Sequence, residues 1–457
     1  MPAGRRTKEP NRKLGRLIEE SGASHAALST RINQLAARAG VNRAYSHTSI
    51  VNWTRRGMRP KPPAPALLAA ALGERLGRPV TLQEIGMADV PPTGPEIGFT
   101  FSRDTDHALR IAAEYWRTVD RRDFLSSSPF AVAAFATPFS RWLSVPADPA
   151  TARLGGRRVG RADLDELWAA SEEARAWDSR CGGGNWKSSM VTECLRLRAA
   201  PLLEGTFTEA IGSELFAATA ELARVAAWSA VDMGDHTEAQ RQFVQALRMA
   251  RASGDVAVGS YVLATMSLQA FLRGYPVEAV DMAEGAYERA KHDAPARVLA
   301  FAKLAQARAH GRAGDAKAAA AAIIHSEQLV DAAATDPRDP AWLAYLTRAR
   351  IAADAAEIHR DLHRPKEALR WHREAAAMPS GVYTRAVGIQ HAVIGTAHLQ
   401  NRDLEPGLES GELALRILGT VRSTRARDYL RRFTTALDPW GAEPIAADFL
   451  RRARTAC

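Results

Sequence analysis

The stretches GDHTEA (Gly234 to Ala239), GYPVEA (Gly274 to Ala279) and GDAKAA (Gly314 to Ala319) begin 40 residues apart, and HRPKEA, ending at Ala368, follows the same pattern. A fixed period of this length marks a chain assembled from one repeated supersecondary unit. With Ala239, Ala279, Ala319, Ala368 and Gly407 taken as equivalent, the residues twelve earlier are Ala227, Ser267, Ala307, Ala356 and Gly395. Those seven later are Ala246, Ala286, Ser326, Ala375 and Ala414. All fifteen are small. Between them stand larger residues at helical spacing, among them Phe243 and Leu247, Tyr287, and Leu415 and Leu418. Small residues at three fixed positions per unit predict closely crossing helices, and the fold class expected is all-α.

This pattern resembles tetratricopeptide-type repeats over about Ser213 to Gly419, at spacings of 40, 40, 49 and 39 rather than the family's usual pitch. The resemblance implies two antiparallel helices per unit and an α-solenoid whose concave side binds a peptide, a protein or a small molecule. Projected from the repeat register, that groove would include Arg224, Trp228, Tyr261, Arg308, Arg350 and Glu357. Trp228 and Tyr261 are equally compatible with core packing, and the arginines with a solvated face.

Outward from the repeats, the charge is unevenly spread. Residues 1–90 hold 15 Lys and Arg against 6 Asp and Glu, whereas residues 91–457 hold 46 against 45. A basic module joined to a neutral one points to a polyanion partner, since each cation placed on a phosphate releases counterions. The basic part reads as short helices. Leu14, Leu17 and Ile18 lie on one face after Asn11, and Ser21-Gly22 ends that helix. His25 to Arg38 puts Leu28, Ile32, Leu35 and Ala36 on one stripe, with Ser24 as N-cap and Gly40 as terminator. Ser46-His47-Thr48 then caps a helix that turns Ile50 and Trp53 inward and runs to Gly57, with further helices over Ala66 to Leu76 and from Thr81.

The outward face of the third helix carries Thr48, Ser49, Asn52, Arg55 and Arg56. Asn and Arg can pair bidentately with adenine and guanine edges, and Ser and Thr can contact bases or phosphates. Arg43, Arg59 and Lys61 flank that helix as candidate phosphate contacts, and Arg5, Arg6 and Lys8 form a leading arm. QLAARAGV (Gln34 to Val41), the inward Ile50 and Trp53, and the following Gly57 and Pro60 resemble the repressor-like XRE/Cro helix-turn-helix family. The turn between Gly40 and Ile50 is about four residues longer than in the compact motif.

The expected organisation is a helix-turn-helix bundle over 1–88, a Pro/Gly-rich linker over 89–103, a helical middle over 104–212, the repeat array over 213–422 and capping helices over 423–457. In the middle, helices are expected over Asp106 to Arg122, Phe124 to Leu143, Asp163 to Arg180 and Trp186 to Arg198, with Trp116, Phe124, Phe135, Phe139 and Trp142 in the core. Gly182-Gly183-Gly184 reads as a tight interhelical turn, with an anion-binding loop beside Lys187 as the alternative.

No nucleophile elbow, paired carboxylates or Walker loop stands out, so the expectation is a non-enzyme without cofactor or metal. His359 and His363 share helical spacing, and His372 follows, but no third zinc ligand is evident. Cys181, Cys194 and Cys457 suggest neither disulfides nor a zinc site. Neither a secretory signal nor a span of about 18 apolar residues is found, which predicts a cytoplasmic, nucleoid-associated protein with no membrane partner.

Together the two parts resemble actinobacterial regulators that join a repressor-like helix-turn-helix to a tetratricopeptide-type array, including negative regulators of sporulation and antibiotic production. The resemblance implies a transcriptional regulator that binds double-stranded DNA, as a homodimer on an inverted repeat, with an effector at the array. The alternative is an adaptor whose basic bundle binds an acidic protein.

Overall fold

A computed structural model describes residues 10–38, 44–60, 63–77, 80, 82, 84–87, 95–118, 130–144, 157–184, 186–375 and 381–456. Arg5, Arg6, Lys8, Gly40, Arg43, Lys61 and Phe124 lie outside the described residues. The protein is all-α. Among the described residues the one feature of β type is an isolated bridge between Arg158 and Thr206. The chain forms two compact units, Met1–Ile97 and Gly98–Cys457.

The first unit contains α1 (Arg12–Glu20), α2 (His25–Arg38), α3 (His47–Arg55) and α4 (Ala64–Leu76). Their apolar stripes converge in one core, in which Leu14, Leu28, Ile32, Ile50, Leu68 and Leu72 are almost wholly removed from water. Polar clamps fix how the helices enter it. The Asn11 side chain accepts from Leu14 N at 3.1 Å to cap α1 and donates to Ile85 O at 2.8 Å. The Asn33 amide holds Tyr45 on both sides, donating to its carbonyl at 2.9 Å and accepting its N–H at 2.8 Å. Ser46 then caps α3. An Arg31–Glu74 ion pair joins α2 to α4.

The second unit begins with packed chain rather than linker. Gln245 Nε2 donates to Gly98 O at 2.7 Å, Arg251 Nη1 donates to Arg103 O at 2.9 Å, and Phe101 is buried. The linker expected over 89–103 therefore stops short of Gly98. Then come α5 (Thr105–Thr118), α6 (Ala136–Ser144), α7 (Arg161–Cys181), α8 (Trp186–Cys194) and the short α9 (Ala200–Leu203). The helix expected over Phe124 to Leu143 is broken within its described part: Ala131 is extended and a 3-10 turn at Val132–Phe135 precedes α6. Trp116, Phe135 and Trp142 are buried, Phe139 half so.

Five antiparallel pairs follow: α10 (Glu209–Met233) with α11 (His236–Ser253), α12 (Val256–Leu272) with α13 (Pro276–Ala290), α14 (Ala296–Ala313) with α15 (Ala316–Ala333), α16 (Arg348–Asp361) with α17 (Pro365–Ala375), and α18 (Thr384–Gln400) with α19 (Leu404–Leu418). All fifteen small residues of the repeat register are buried. They sit where the two helices of a pair cross. Ser267 Oγ donates to Ala279 O at 2.6 Å, Ser260 Oγ to Ala286 O at 3.0 Å, and Ser326 Oγ to Ala300 O at 2.8 Å. A methyl group added to Gly395 would lie 3.0 Å from Gly407 O. A larger side chain there would force the backbones apart.

The register extends into the turns. Residues five before the reference alanine, Gly234, Gly274, Gly314, His363 and Arg402, all have positive φ. Glycine takes this left-handed conformation at no steric cost, whereas His363 and Arg402 take it with a Cβ. In GDHTEA and GDAKAA the next residue, Asp235 or Asp315, caps the following helix through its carboxylate.

The first helix of each pair packs on the first helix of the next, which gives an inner row of α10, α12, α14, α16 and α18. The row does not end open. Both α7 and α20 (Thr424–Ala436) touch α10 at one end and α18 at the other, and α21 (Pro444–Ala456) covers α19. The final helices thus do more than cap the last unit.

Candidate functional site

Two sites were expected, one in each unit. In the first, Thr48, Arg55, Arg56 and Arg59 are exposed on or just beyond α3, and Asn52 is half-buried. Ser49 is half-buried, and its hydroxyl accepts from Ser46 N at 3.3 Å and lies 3.2 Å from the Ser46 hydroxyl, completing a reciprocal cap. The basic last turn of α3 and the exposed cations after it form a positive edge. Arg43 and Lys61, expected on phosphates, lie outside the described residues.

In the second unit, Arg224, Trp228, Tyr261, Arg308, Arg350 and Glu357 all line one cavity of about 170 Å³. They come from α10, α12, α14 and α16, the inner row, which brings residues up to 133 positions apart to one place. Arg224 and Arg308 are not solvated, whereas Arg350 is 30% exposed. Arg224 is 4% exposed, and its Nε and Nη2 donate to Glu221 at 2.7 and 2.8 Å. Arg308 Nη2 donates to Glu357 at 2.9 Å and its Nη1 to Asp354. Tyr261 packs against Phe301 and Trp342, with ring centroids 4.9 and 4.8 Å away, and also faces the cavity. The Arg224 guanidinium lies 4.3 Å from its ring centroid.

Several lining residues escaped the register because they lie outside the repeats or are first seen there in three dimensions. Arg175 and Asp178 come from α7, Arg425 from α20, Arg385 from α18 and Tyr345 from the segment before α16. Arg385 holds Asp178 bidentately at 3.0 and 2.6 Å and reaches Asp232 at 3.0 Å, while Arg425 Nε reaches the same Asp232 at 3.0 Å. Asp232 is wholly buried and also accepts the Gly183 N–H at 2.8 Å. These bonds tie α7, α10, α18 and α20 together.

The triple glycine is part of the same closure. Gly184 N donates to Arg422 O and Arg422 N to Cys181 O, both at 3.0 Å. A Cβ on Gly182 or Gly183 would approach Arg422 O or Ser229 O to 2.6 or 2.4 Å. The anion that meets this loop is the Asp232 carboxylate.

Burial and charge oppose each other here. Burial alone would raise the Glu357 carboxyl, but Arg308, then Arg360 and the Tyr429 hydroxyl, hold it down at about 2. Burial works against the charge on Arg224 and Arg308, and the adjacent carboxylates outweigh it, keeping both protonated. Burial raises the phenols of Tyr261 and Tyr345, whose oxygens lie 3.1 Å apart, so both are neutral near pH 7.

Among the described residues no group of three or more His, Cys, Asp or Glu side chains is placed to hold a metal ion. His363 Nδ1 faces Gln400 and His372 Nδ1 faces Gln390. No described helix is long and apolar enough to cross a membrane.

Compared with known proteins, residues 14–88 match a family model described as the SP15 N-terminal domain. The match takes in α2, α3, α4 and all but the first two residues of α1, well under half of the chain. No curated protein and no solved structure matches the chain.

Proposed function

We propose that the protein is a DNA-binding transcriptional regulator of the repressor-like helix-turn-helix type, whose tetratricopeptide-like α-solenoid receives an effector. The observation that carries this reading is α3: Ile50 and Trp53 are committed to the core, which leaves Thr48, Asn52, Arg55 and Arg56 on the accessible side of a strongly basic unit. Such a face suits the major groove, with Asn52 and the arginines reading base edges and Arg43, Arg59 and Lys61 holding phosphates. Two copies of the chain on an inverted repeat would place two such helices one turn apart.

The test is fluorescence anisotropy with genomic fragments selected by the full-length protein. The logarithm of affinity should fall linearly with the logarithm of salt, at roughly 0.9 per phosphate contact. Asn52→Ala and Arg56→Ala should cost about 1–3 kcal/mol on the selected site and flatten its preference, whereas Arg59→Ala should weaken all DNA alike. Retained preference in the first two variants removes α3 as the reading helix. Salt-insensitive binding, or enrichment of no fragment, favours the adaptor, whose basic bundle meets an acidic protein instead.

A further inference from the structure

The cavity of the second unit has a charge imbalance that the protein itself does not resolve. Six arginines line it: Arg175, Arg224, Arg308, Arg350, Arg385 and Arg425. The carboxylates paired with them are five, namely Asp178, Asp354 and Glu357 in the wall and Glu221 and Asp232 just behind it. Moving one layer outward does not restore the balance, because Arg312 and Arg360 there share Asp361.

The arginines divide by how far their donors are used. Arg224, Arg308 and Arg385 each spend two nitrogens on carboxylates and are 10% exposed or less. Arg175 gives one N–H to Glu221 at 2.9 Å, Arg425 one to Asp232, and Arg350 points only its Nε and Nη2 at Asp354, at 3.1 and 3.3 Å. Of the six, Arg350 is the most open, at 30%. Its charge reaches the Tyr345 phenol, as that of Arg175 reaches Tyr261. When one of the paired Tyr261 and Tyr345 hydroxyls donates to the other, the second keeps its own hydrogen for a ligand.

Much of the remaining wall is apolar: Trp228 lies under Arg425 at 5.3 Å, with Phe301, Leu268, Ile389 and Val393 beside it, while Ser179, Thr265, Tyr383 and Gln390 add uncharged polar groups. A volume of about 170 Å³ is of the order that holds one six-membered ring. Closure by α7 and α20 bounds the inner row that an extended peptide would have to enter.

We propose that this cavity binds a small organic acid with one negative charge: a carboxylate held by Arg350 and Arg175 beside the Tyr261–Tyr345 pair, and a ring or branched apolar body against Trp228, Phe301 and Ile389. The proposal deepens the effector reading above and rests on it only for the consequence at DNA. The acid supplies the missing sixth anion, and its body fills the apolar half.

The test uses the full chain, with calorimetric titration and thermal shift. The probes are benzoate, phenylacetate, indole-3-acetate and 3-methylbutanoate, each beside its primary amide, with inorganic phosphate as an anion lacking a body. At least one acid should bind saturably, its amide and phosphate at least tenfold more weakly. Arg350→Gln should weaken the acid at least tenfold while the amide is unaffected, since Asp354 keeps Arg308 and the fold keeps its pairing. Ala353→Leu, which narrows the cavity and leaves every charge in place, should weaken acid and amide together. Saturable binding by none of the acids, equal binding of acid and amide, or acid binding indifferent to both variants overturns the proposal. DNA affinity measured on the same samples separates the two readings: a bound acid that leaves it unchanged removes the effector role and keeps the site, while intact DNA binding without any bound acid removes the site alone.

Discussion

Asp232→Asn tests whether the second unit is held closed by one buried carboxylate. Asp232 is fully buried and accepts from Gly183 N at 2.8 Å, Arg385 Nη1 at 3.0 Å and Arg425 Nε at 3.0 Å. Asparagine keeps the shape and one acceptor but removes the charge facing two guanidinium groups. Breaking a buried pair by neutralising one partner costs about 3–5 kcal/mol. The lower end applies, because Arg385 retains Asp178 and Arg425 is 17% exposed. For the 360 residues of Gly98–Cys457, about 2.1 cal/mol/K of unfolding entropy per residue converts about 3 kcal/mol into a Tm drop of roughly 4 °C. The pH dependence is a second signature. Burial opposes ionisation of Asp232, but Arg385 and Arg425 outweigh it and lower its pKa in the folded state. Its stabilisation is therefore complete above the unfolded pKa of about 3.9 and is lost as pH falls through the lower folded value. The deficit of the variant, measured by calorimetry and chemical denaturation, should shrink between pH 7 and pH 3. A deficit below about 1 kcal/mol at pH 7, or one that does not change with pH, refutes the reasoning.

Two further outcomes follow from buried groups away from the cavity. Burial pushes the Glu238 carboxyl up to about 7, against the hydrogen bonds it receives from Gln242 and Tyr115, so between about 4.5 and 7 the folded chain holds a proton that the unfolded chain has lost. Stability from this group falls as pH rises through that window; Glu238→Gln should raise Tm at pH 8 and leave it unchanged at pH 4.5, and an equal effect at both values sinks the assignment. Arg248 is 1% exposed, its Nη1 meets the Gln245 amide, its Nε and Nη2 have no hydrogen-bond partner among the described residues, and burial lowers its pKa to about 9. Arg248→Met should therefore stabilise the unit by about 1–3 kcal/mol in urea denaturation, and a lower midpoint would contradict it.

Local patterns carried much of this architecture. The small residues at three positions per repeat are legible because a helix crossing tolerates no larger side chain, and Ala227, Ser267 and Gly395 occupy such crossings. The turn register is legible only in part: a glycine at 234, 274 and 314 signals a left-handed residue, but His363 and Arg402 adopt the same conformation without that signal. Trp228, Arg308 and Glu357 stand eleven before the reference residue of their repeats, and Tyr261 and Arg350 eighteen before it, so their places on the inner row follow from the same period, since residues at one register position lie side by side when units stack.

What could not be read is what those residues face. Arg385 meets Asp178 across 207 positions and Arg425 meets Asp232 across 193. No periodicity encodes such pairs, and a lone Asp178 or a Gly182-Gly183-Gly184 run fits many local structures. The reciprocal Ser46–Ser49 cap is a short-range pairing that was likewise not read.

The sequence alone determined the helical class, the repeat period, the basic character of the first ninety residues and the side of each repeat that faces its neighbours, because these depend on residue size, charge and spacing along the chain. Tertiary structure decided that the inner row is closed by α7 and α20 around a cavity with more arginines than carboxylates. That outcome is set by the docking of distant helices, where desolvation commits each arginine to whichever carboxylate the fold brings within reach.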